Sequence, residues 1–452
     1  MFILLFYTQV LGLNGTLTGA IVASSLIWDA VSDPLVGTLS DRLVSRHGRR
    51  HPFLVASILP LGLGFVGLFS PPDAILDSTW QLGAWLLFWS LWVRTFVTTF
   101  SIPHLALSAE MTSDYQGRSQ VLGARMSFLT LFAVITPAAA LLLIFPTDGN
   151  QDGRFVSDNY PIYGIFSCLI CWAVATATTI GTRRYARPST DLSGRQQYPT
   201  ERSSLTRDLL RTLSNQSFRY LLGFDISMMA AYGIITALNM LVWTYYWEFS
   251  AQEVSIILAA PSLLAVALMA VSLRFLGRHF EKYQLLQFSA VGLIVNFLWL
   301  YPAHMLGMLD SENHQLLFAL NLLFMVIFMY CFLLRGIQTQ SIIADVTDEH
   351  DWEHGLRQEA GFFAASNFAN KFATVVGPLY GGVALDVVGL ETGMLPGQVD
   401  ESILTGLVIA LGLGTLPCML MALLFALRIT LGRARVADLQ RLLASRDSGL
   451  NH

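Results

Sequence analysis

Eleven runs of mainly apolar residues, each about the length that crosses a bilayer, dominate this chain and limit what it can fold into. They fall at about 16–37, 52–70, 81–109, 119–146, 160–182, 217–247, 253–275, 283–303, 314–344, 358–388 and 401–428. A hydrocarbon interior offers no water to backbone N–H and C=O groups, so each run is expected to satisfy its own as an α-helix. At 54% hydrophobic and 13% charged over 452 residues, the chain is too apolar for a soluble globular protein. An apolar stub, Phe2 to Leu13, precedes the first run and is too short to cross alone. We expect either that the frame starts upstream or that the first helix has lost its first half. The stub lacks a basic flank and a small-residue cleavage site, so it is not expected to be a cleavable signal peptide.

Loop charge orients such a chain, because Lys and Arg stay on the cytoplasmic side. One set of loops carries Arg42, Arg46, Arg49 and Arg50, then Arg118, the linker arginines from Arg183 to Arg211, Arg278 with Lys282, and the tail arginines from Arg433 to Arg446. The alternate loops carry almost none, and "PTDGNQDGRFVSDNYP" has only Arg154. Both termini are therefore expected in the cytoplasm of a multi-pass protein of the plasma (inner) membrane. The boundaries follow: an N-terminal helical bundle at 1–182, a cytoplasmic linker at 183–216, a C-terminal bundle at 217–430 and a cytoplasmic tail at 431–452. This 6+6 plan is typical of transporters built from repeated bundles. The repeat itself is faint: "DRLVSRHGRR" after the second span is loosely echoed by "LRFLGRHFEK" after the eighth, counting the stub as part of the first. Cys168, Cys171, Cys331 and Cys418 all fall within spans, which argues against a disulfide framework and leaves "SCLICW" as packing. The linker arginines are topology signals or contacts to anionic lipid headgroups; a nucleic-acid role has no footprint.

The stretch "WDAVSDPLVGTLSDRLVSRHGRRHPF", from Trp28 to Phe53, is the most unusual in the chain. Asp29 and Asp33 share one helical face, with Cβ atoms about 5–6 Å apart. An ionised Asp deep in a span costs on the order of 2.5–3.5 kcal/mol on insertion scales. Like charges so close favour sharing a proton or a cation over standing as two bare carboxylates. Pro34 has no N–H, which leaves the Ala30 carbonyl without its helical partner, and Ser32 adds a hydroxyl. Crowded oxygens of this kind suit a hard monovalent cation or a proton. The competing reading is a pair that only salt-bridges to neighbouring spans.

Three blocks carry a resemblance: the stretch just quoted, "SIPHLALSAEMTSDYQGR", and "ADVTDEHDWEHGLRQEAGFFAASNFANKFATVVGP". They resemble the melibiose-permease-like cation symporters, the glycoside–pentoside–hexuronide branch of the major facilitator superfamily. The resemblance implies an all-α membrane fold of two six-helix bundles. It implies that Asp29 and Asp33 bind the coupling cation, with Ser32 where the family often has Asn or Thr, and that Thr98 of the fourth span completes the site. It further matches Arg125 of the fifth span to a substrate-binding arginine, and Lys371 of the eleventh to a lysine near the site. The chain also departs from the family. Ser101 replaces an aspartate before the Ile-Pro of the fourth span, Leu26 replaces a basic residue, and Gly336 aligns with an aromatic residue of the sugar site. The substrate-binding aspartate of the first span would lie before the point where this chain begins.

Charges inside the other spans bear on the substrate. Arg94 is mid-span, and offsets of four and seven put Thr98 and Ser101 on its face. With Arg125 and Arg335 it makes three intramembrane guanidiniums, which suit an anionic substrate group or internal pairing, with Asp225 as a candidate partner. Lys371 either reaches the aspartate pair when no cation is bound or snorkels to the interface. Asp41, Arg42 and Arg49 in one loop, with Asp345, Asp348, Arg357 and Glu359 in its counterpart, are gate charges or solvated topology signals. "HDWEH", His350 to His354, fits a zinc-protease pattern but lies between the tenth and eleventh spans with no third ligand in sight. The expectation is cation-coupled symport, by Na⁺ or H⁺, of a sugar or glycoside, an anionic one included, by alternating access. A lysophospholipid symporter of the same fold is the alternative, and a membrane zinc hydrolase a remote one. No cofactor beyond the coupling ion is expected, and the chain should work as a monomer among membrane lipids.

Overall fold

The computed structural model describes residues 2–43, 45, 47–111, 115–148, 151–186, 213–310, 312–354 and 359–449. Each expected run is helical. The stub forms α1 (Phe2–Leu5), which continues as a wider turn over Phe6–Val10. Then follow α2 (Gly15–Arg42), α3 (His51–Phe69), α4 (Thr79–Met111), α5 (Tyr115–Leu143) and α6 (Asn159–Gly181). The second half holds α7 (Gln216–Leu241), α8 (Ala251–His279), α9 (Lys282–Phe297), α10 (His314–His354), α11 (Glu359–Thr374), α12 (Val376–Val388), α13 (Glu401–Ala426) and α14 (Arg433–Gly449). Among the described residues, ten helical stretches are long and apolar enough to cross a membrane. The only strands there are a two-residue pair, Thr147–Asp148 against Gln151–Asp152.

Side chains are sorted inside out relative to a soluble protein. On α2 the buried positions include Gly15, Thr18, Gly19, Ser25, Asp29 and Ser32, whereas Ile27, Val31, Leu35 and Leu39 are exposed. Lipid accepts the large apolar groups and rejects the polar ones, so the polar stripe turns inward. The expected eleventh span is interrupted at Val375, between α11 and α12. Pro378 supplies no N–H to the Thr374 carbonyl, which breaks the ladder there. Gly233 of α7 occupies the gap; a Cβ on it would lie 2.9 Å from that carbonyl oxygen. "HDWEH" is not the interhelical loop that its sequence position suggested: it forms the last turn of α10. His350 is buried there, edge-on to Phe362.

Contacts divide the chain into two compact units. The first comprises Met1–Thr200 together with Trp243–Ser255 and Pro378–Ile403, and the second comprises Glu201–Val242, Ile256–Gly377 and Leu404–His452. In the first, the stub is locked in by aromatic packing: Phe6 stacks on Tyr160 and Phe2 on Phe145, and the Tyr7 hydroxyl donates to the Leu68 carbonyl. α3 meets α4 through Gly64 and Gly67, whose missing side chains admit Trp92 and Trp89. In the second unit a buried ion pair joins Arg335 of α10 to Asp225 of α7, with Ser366 of α11 donating to the other carboxylate oxygen. The Arg335 guanidinium also lies over the Phe332 ring. One of the three intramembrane arginines is thus internally paired.

Removing one partner of such a pair strands the other in low dielectric, which typically costs about 3–5 kcal/mol. Arg335→Met should therefore unfold at markedly lower denaturant in detergent, and Asp225→Asn combined with Arg335→Gln should recover most of the loss. Equal stability of Arg335→Met and the parent would show that the pair contributes nothing to the second unit.

Candidate functional site

The polar centre of the first unit lies on the seam between α2 and α4. On α2, Asp29 and Asp33 stand one turn apart just before Pro34, which frees the Ala30 carbonyl from the helical ladder. Asp29 is buried and Asp33 half-buried. From α4, the wholly buried Thr98 places its Oγ1 2.8 Å from Asp29 Oδ1 and 3.1 Å from Asp33 Oδ1. Ser32 Oγ lies 3.2 Å from the Asp29 carbonyl oxygen and 3.3 Å from Thr98 Oγ1. All four residues expected around a cation are therefore in mutual contact. A hydroxyl carries one proton, so Thr98 can donate to only one carboxylate at a time. The second carboxylate oxygen then faces a lone pair, an arrangement that a cation or an added proton relieves.

A further contact holds this seam. Arg94 sits one turn before Thr98 on α4, on the same helical face. Trp28 Nε1 donates to Thr95 Oγ1 at 2.9 Å, which fixes the register of the two helices beside the cluster. Thr95 carried no sign of this role in the sequence beyond its place one turn before Thr98. Ser101, half-buried, continues the same α4 face. Arg125 is half-buried on α5. Lys371 is half-buried in the last turn of α11, in the second unit, where its carbonyl accepts from Thr374.

The loop charges have partners that the sequence reading did not name. Asp41 pairs with Arg50 at 2.5 Å, and Arg50 also donates to Ser40 at 2.6 Å; Arg42 is exposed and Arg49 half-buried. In the second unit, Lys282 Nζ lies 2.6 Å and 2.8 Å from the two Asp345 oxygens, and Gln440 donates to Asp348 at 3.1 Å. Arg357 lies outside the described residues, as does the side chain of Glu359. Arg50 and Lys282 close the two decapeptides "DRLVSRHGRR" and "LRFLGRHFEK", so the faint echo has a physical core. In each, the tenth residue is a cation that holds a carboxylate of its own unit.

A family described as MFS/sugar transport protein matches residues 1–432. YagG of Escherichia coli, provisionally assigned as a glycoside/cation symporter, is 25% identical over 379 residues, which is 82% of this chain and 75% of that protein. The isoprimeverose transporter of Lactiplantibacillus pentosus is 21% identical over 393 residues, 86% of this chain and 76% of its own. Among solved structures, the nucleoside transporter NupG superposes with a TM-score of 0.59 at 15% identity, covering 95% of this chain and 94% of that one. At that identity the likeness shows a shared helical transporter fold.

Thr98→Val should remove the one hydroxyl that both carboxylates share while keeping side-chain volume. A hydrogen bond to a charged group contributes about 1.5–3 kcal/mol, so a loss of that order in unfolding free energy is expected, with Thr98→Ser close to the parent. If valine is tolerated at no cost, Thr98 does not hold the two carboxylates.

Proposed function

This chain belongs to the MFS/sugar transport protein family, a family of multi-pass membrane transporters rather than enzymes, and from that premise we propose that it is a cation-coupled symporter of a sugar or glycoside. The observation that carries this reading is the cluster of Asp29, Ser32, Asp33 and Thr98, buried oxygens of two carboxylates gathered on one hydroxyl. Two carboxylates one turn apart that share one hydroxyl proton are stabilised by an added positive charge. Such a site takes a Na⁺ ion or a proton, and the relatives YagG and the isoprimeverose transporter support coupling and substrate class.

Ser101, Arg125 and Lys371 are assigned to the substrate, with Arg94 bridging substrate and cation sites. An anionic substrate would draw on Arg94 and Arg125, since Arg335 is paired with Asp225. With one of the three guanidiniums spent, we take the substrate as an uncharged sugar or glycoside, in line with the isoprimeverose transporter. Following the loop charges, both termini face the cytoplasm of the inner (plasma) membrane, and Asp41, Arg42, Arg49, Asp345, Asp348, Arg357 and Glu359 belong to the gate on that side. The monomer is the transporting species.

In proteoliposomes, an inward Na⁺ or pH gradient should drive accumulation of a neutral glycoside. Asp33→Asn should hold accumulation at equilibrium while solute exchange continues. Gradient-driven accumulation in both Asp29→Asn and Asp33→Asn would overturn the cation assignment. A parallel thermal-shift screen of a neutral glycoside, a uronide and a lysophospholipid reads the substrate: stabilisation by the uronide alone restores the anionic reading, and stabilisation by the lysophospholipid alone replaces the sugar with a lipid.

A further inference from the structure

In the second unit α7 and α13 meet at Gly223 and Phe425: a Cβ on Gly223 would lie 2.8 Å from the Phe425 ring, so the missing side chain is what admits that ring. α7 starts from the arginine-rich linker and α13 ends at the arginine-rich tail, so residues before Gly223 and after Phe425 lie on the same side of this contact. Arg219 stands one turn before Gly223. Arg428 follows Phe425 by three residues, and its N–H donates to the Phe425 carbonyl. Each helix therefore brings one guanidinium to the same end of one seam, and both side chains are exposed.

The backbone under both arginines is pinned. Asn215 caps α7 by accepting from the Phe218 N–H at 2.8 Å, and Gln287 of α9 donates to the Ala426 carbonyl at the end of α13 at 3.1 Å. Tyr220, half-buried beside Arg219, accepts from Gln216 Nε2 at 3.2 Å, and Arg428 reaches the same hydroxyl from α13. The phenolic proton is left to donate outward. Arg50 and Arg335 are each held by a carboxylate, whereas among the described residues neither Arg219 nor Arg428 has a carboxylate within ion-pair distance. From this polar end an apolar stripe runs back along the spans: Leu424, Leu420 and Leu413 of α13 are exposed at helical spacing, and so is Ile226 of α7, two turns beyond Arg219 on its face.

We propose that the α7–α13 seam is a binding site for one anionic phospholipid, whose headgroup phosphate lies against Arg219, Tyr220 and Arg428 and whose acyl chains follow Leu424, Leu420 and Ile226. Two guanidiniums that no carboxylate answers complement a phosphate, which each can grip with paired N–H donors. A soluble anion would satisfy the guanidiniums but has no use for the apolar stripe that starts at them. A zwitterionic headgroup carries its own ammonium beside the phosphate, and two fixed positive charges repel it, so the site selects a lipid with net negative charge. A topology signal needs only positive charge near the boundary. It does not need two arginines brought together from helices far apart in sequence, on backbones that Asn215 and Gln287 fix.

Native mass spectrometry of the full chain in detergent, titrated with phosphatidylglycerol or with phosphatidylcholine of the same acyl chains, counts bound lipid directly. The parent should take up one phosphatidylglycerol in preference to phosphatidylcholine. Arg219→Gln and Arg428→Gln should each weaken that binding about fivefold, which corresponds to about 1 kcal/mol for one arginine at a membrane surface, and leave phosphatidylcholine binding as it was. Arg435→Gln removes the same charge from the exposed side of α14 and should change neither lipid. All three side chains are exposed, so the variants should fold like the parent. Three results overturn the site: equal weakening by Arg435→Gln, which would make the attraction diffuse surface charge; undiminished phosphatidylglycerol binding in the Arg219→Gln, Arg428→Gln double variant; or displacement of the lipid by inorganic phosphate at matched ionic strength, which would give the seam to a soluble anion. The readout uses neither solute nor coupling ion, so it stands apart from the symport reading.

Discussion

The absence of water inside a bilayer is the constraint on which the rest of this structure depends. It forces the backbone into helices, turns the polar stripe of α2 inward, and allows a charge inside a span only where another group answers it. The second unit meets that demand with an ion pair, where Arg335 answers Asp225 and Ser366 donates to the other carboxylate oxygen. The first unit gathers its carboxylates differently: Asp29 and Asp33 stand one turn apart on α2 and both reach the Thr98 hydroxyl of α4, which has a single proton to give.

The same accounting runs along the interfaces. Where helices stay together, as at α3 and α4, glycine gaps admit tryptophan rings and the contact is largely apolar. Where segments from the two halves of the chain meet in the first unit, hydrogen bonds to carbonyls, amides and a buried guanidinium accompany close glycine packing of α2 on α12.

Much of this was legible in residue order alone. Apolar run length located the ten helical stretches that are long and apolar enough to cross, because a bilayer asks for a continuous apolar helix of fixed length, and the four-residue spacing of Asp29 and Asp33 placed them on one face because the helical rise is fixed. The role of Pro34 followed from its missing N–H for the same reason. Each of these lies within a single helix, where spacing in sequence is distance in space. Partners on different helices were another matter. Thr98 was matched to the aspartates only through resemblance, and nothing in its own span marked its contact with both.

What only the tertiary structure decided is which faces meet. It chose Arg335 for Asp225, Arg50 for Asp41, and Lys282 for Asp345. It ran the tenth span on through "HDWEH" to His354, and it buried Arg154, whose position in sequence marked it only as an exception among the loops. The sequence by itself determined the membrane class, the spans and the carboxylate pair, since those follow from composition and from the geometry of one helix. The pairings did not follow, because a charge in low dielectric binds whichever opposite group the packing of apolar surfaces brings within reach, and that packing is a property of the whole chain.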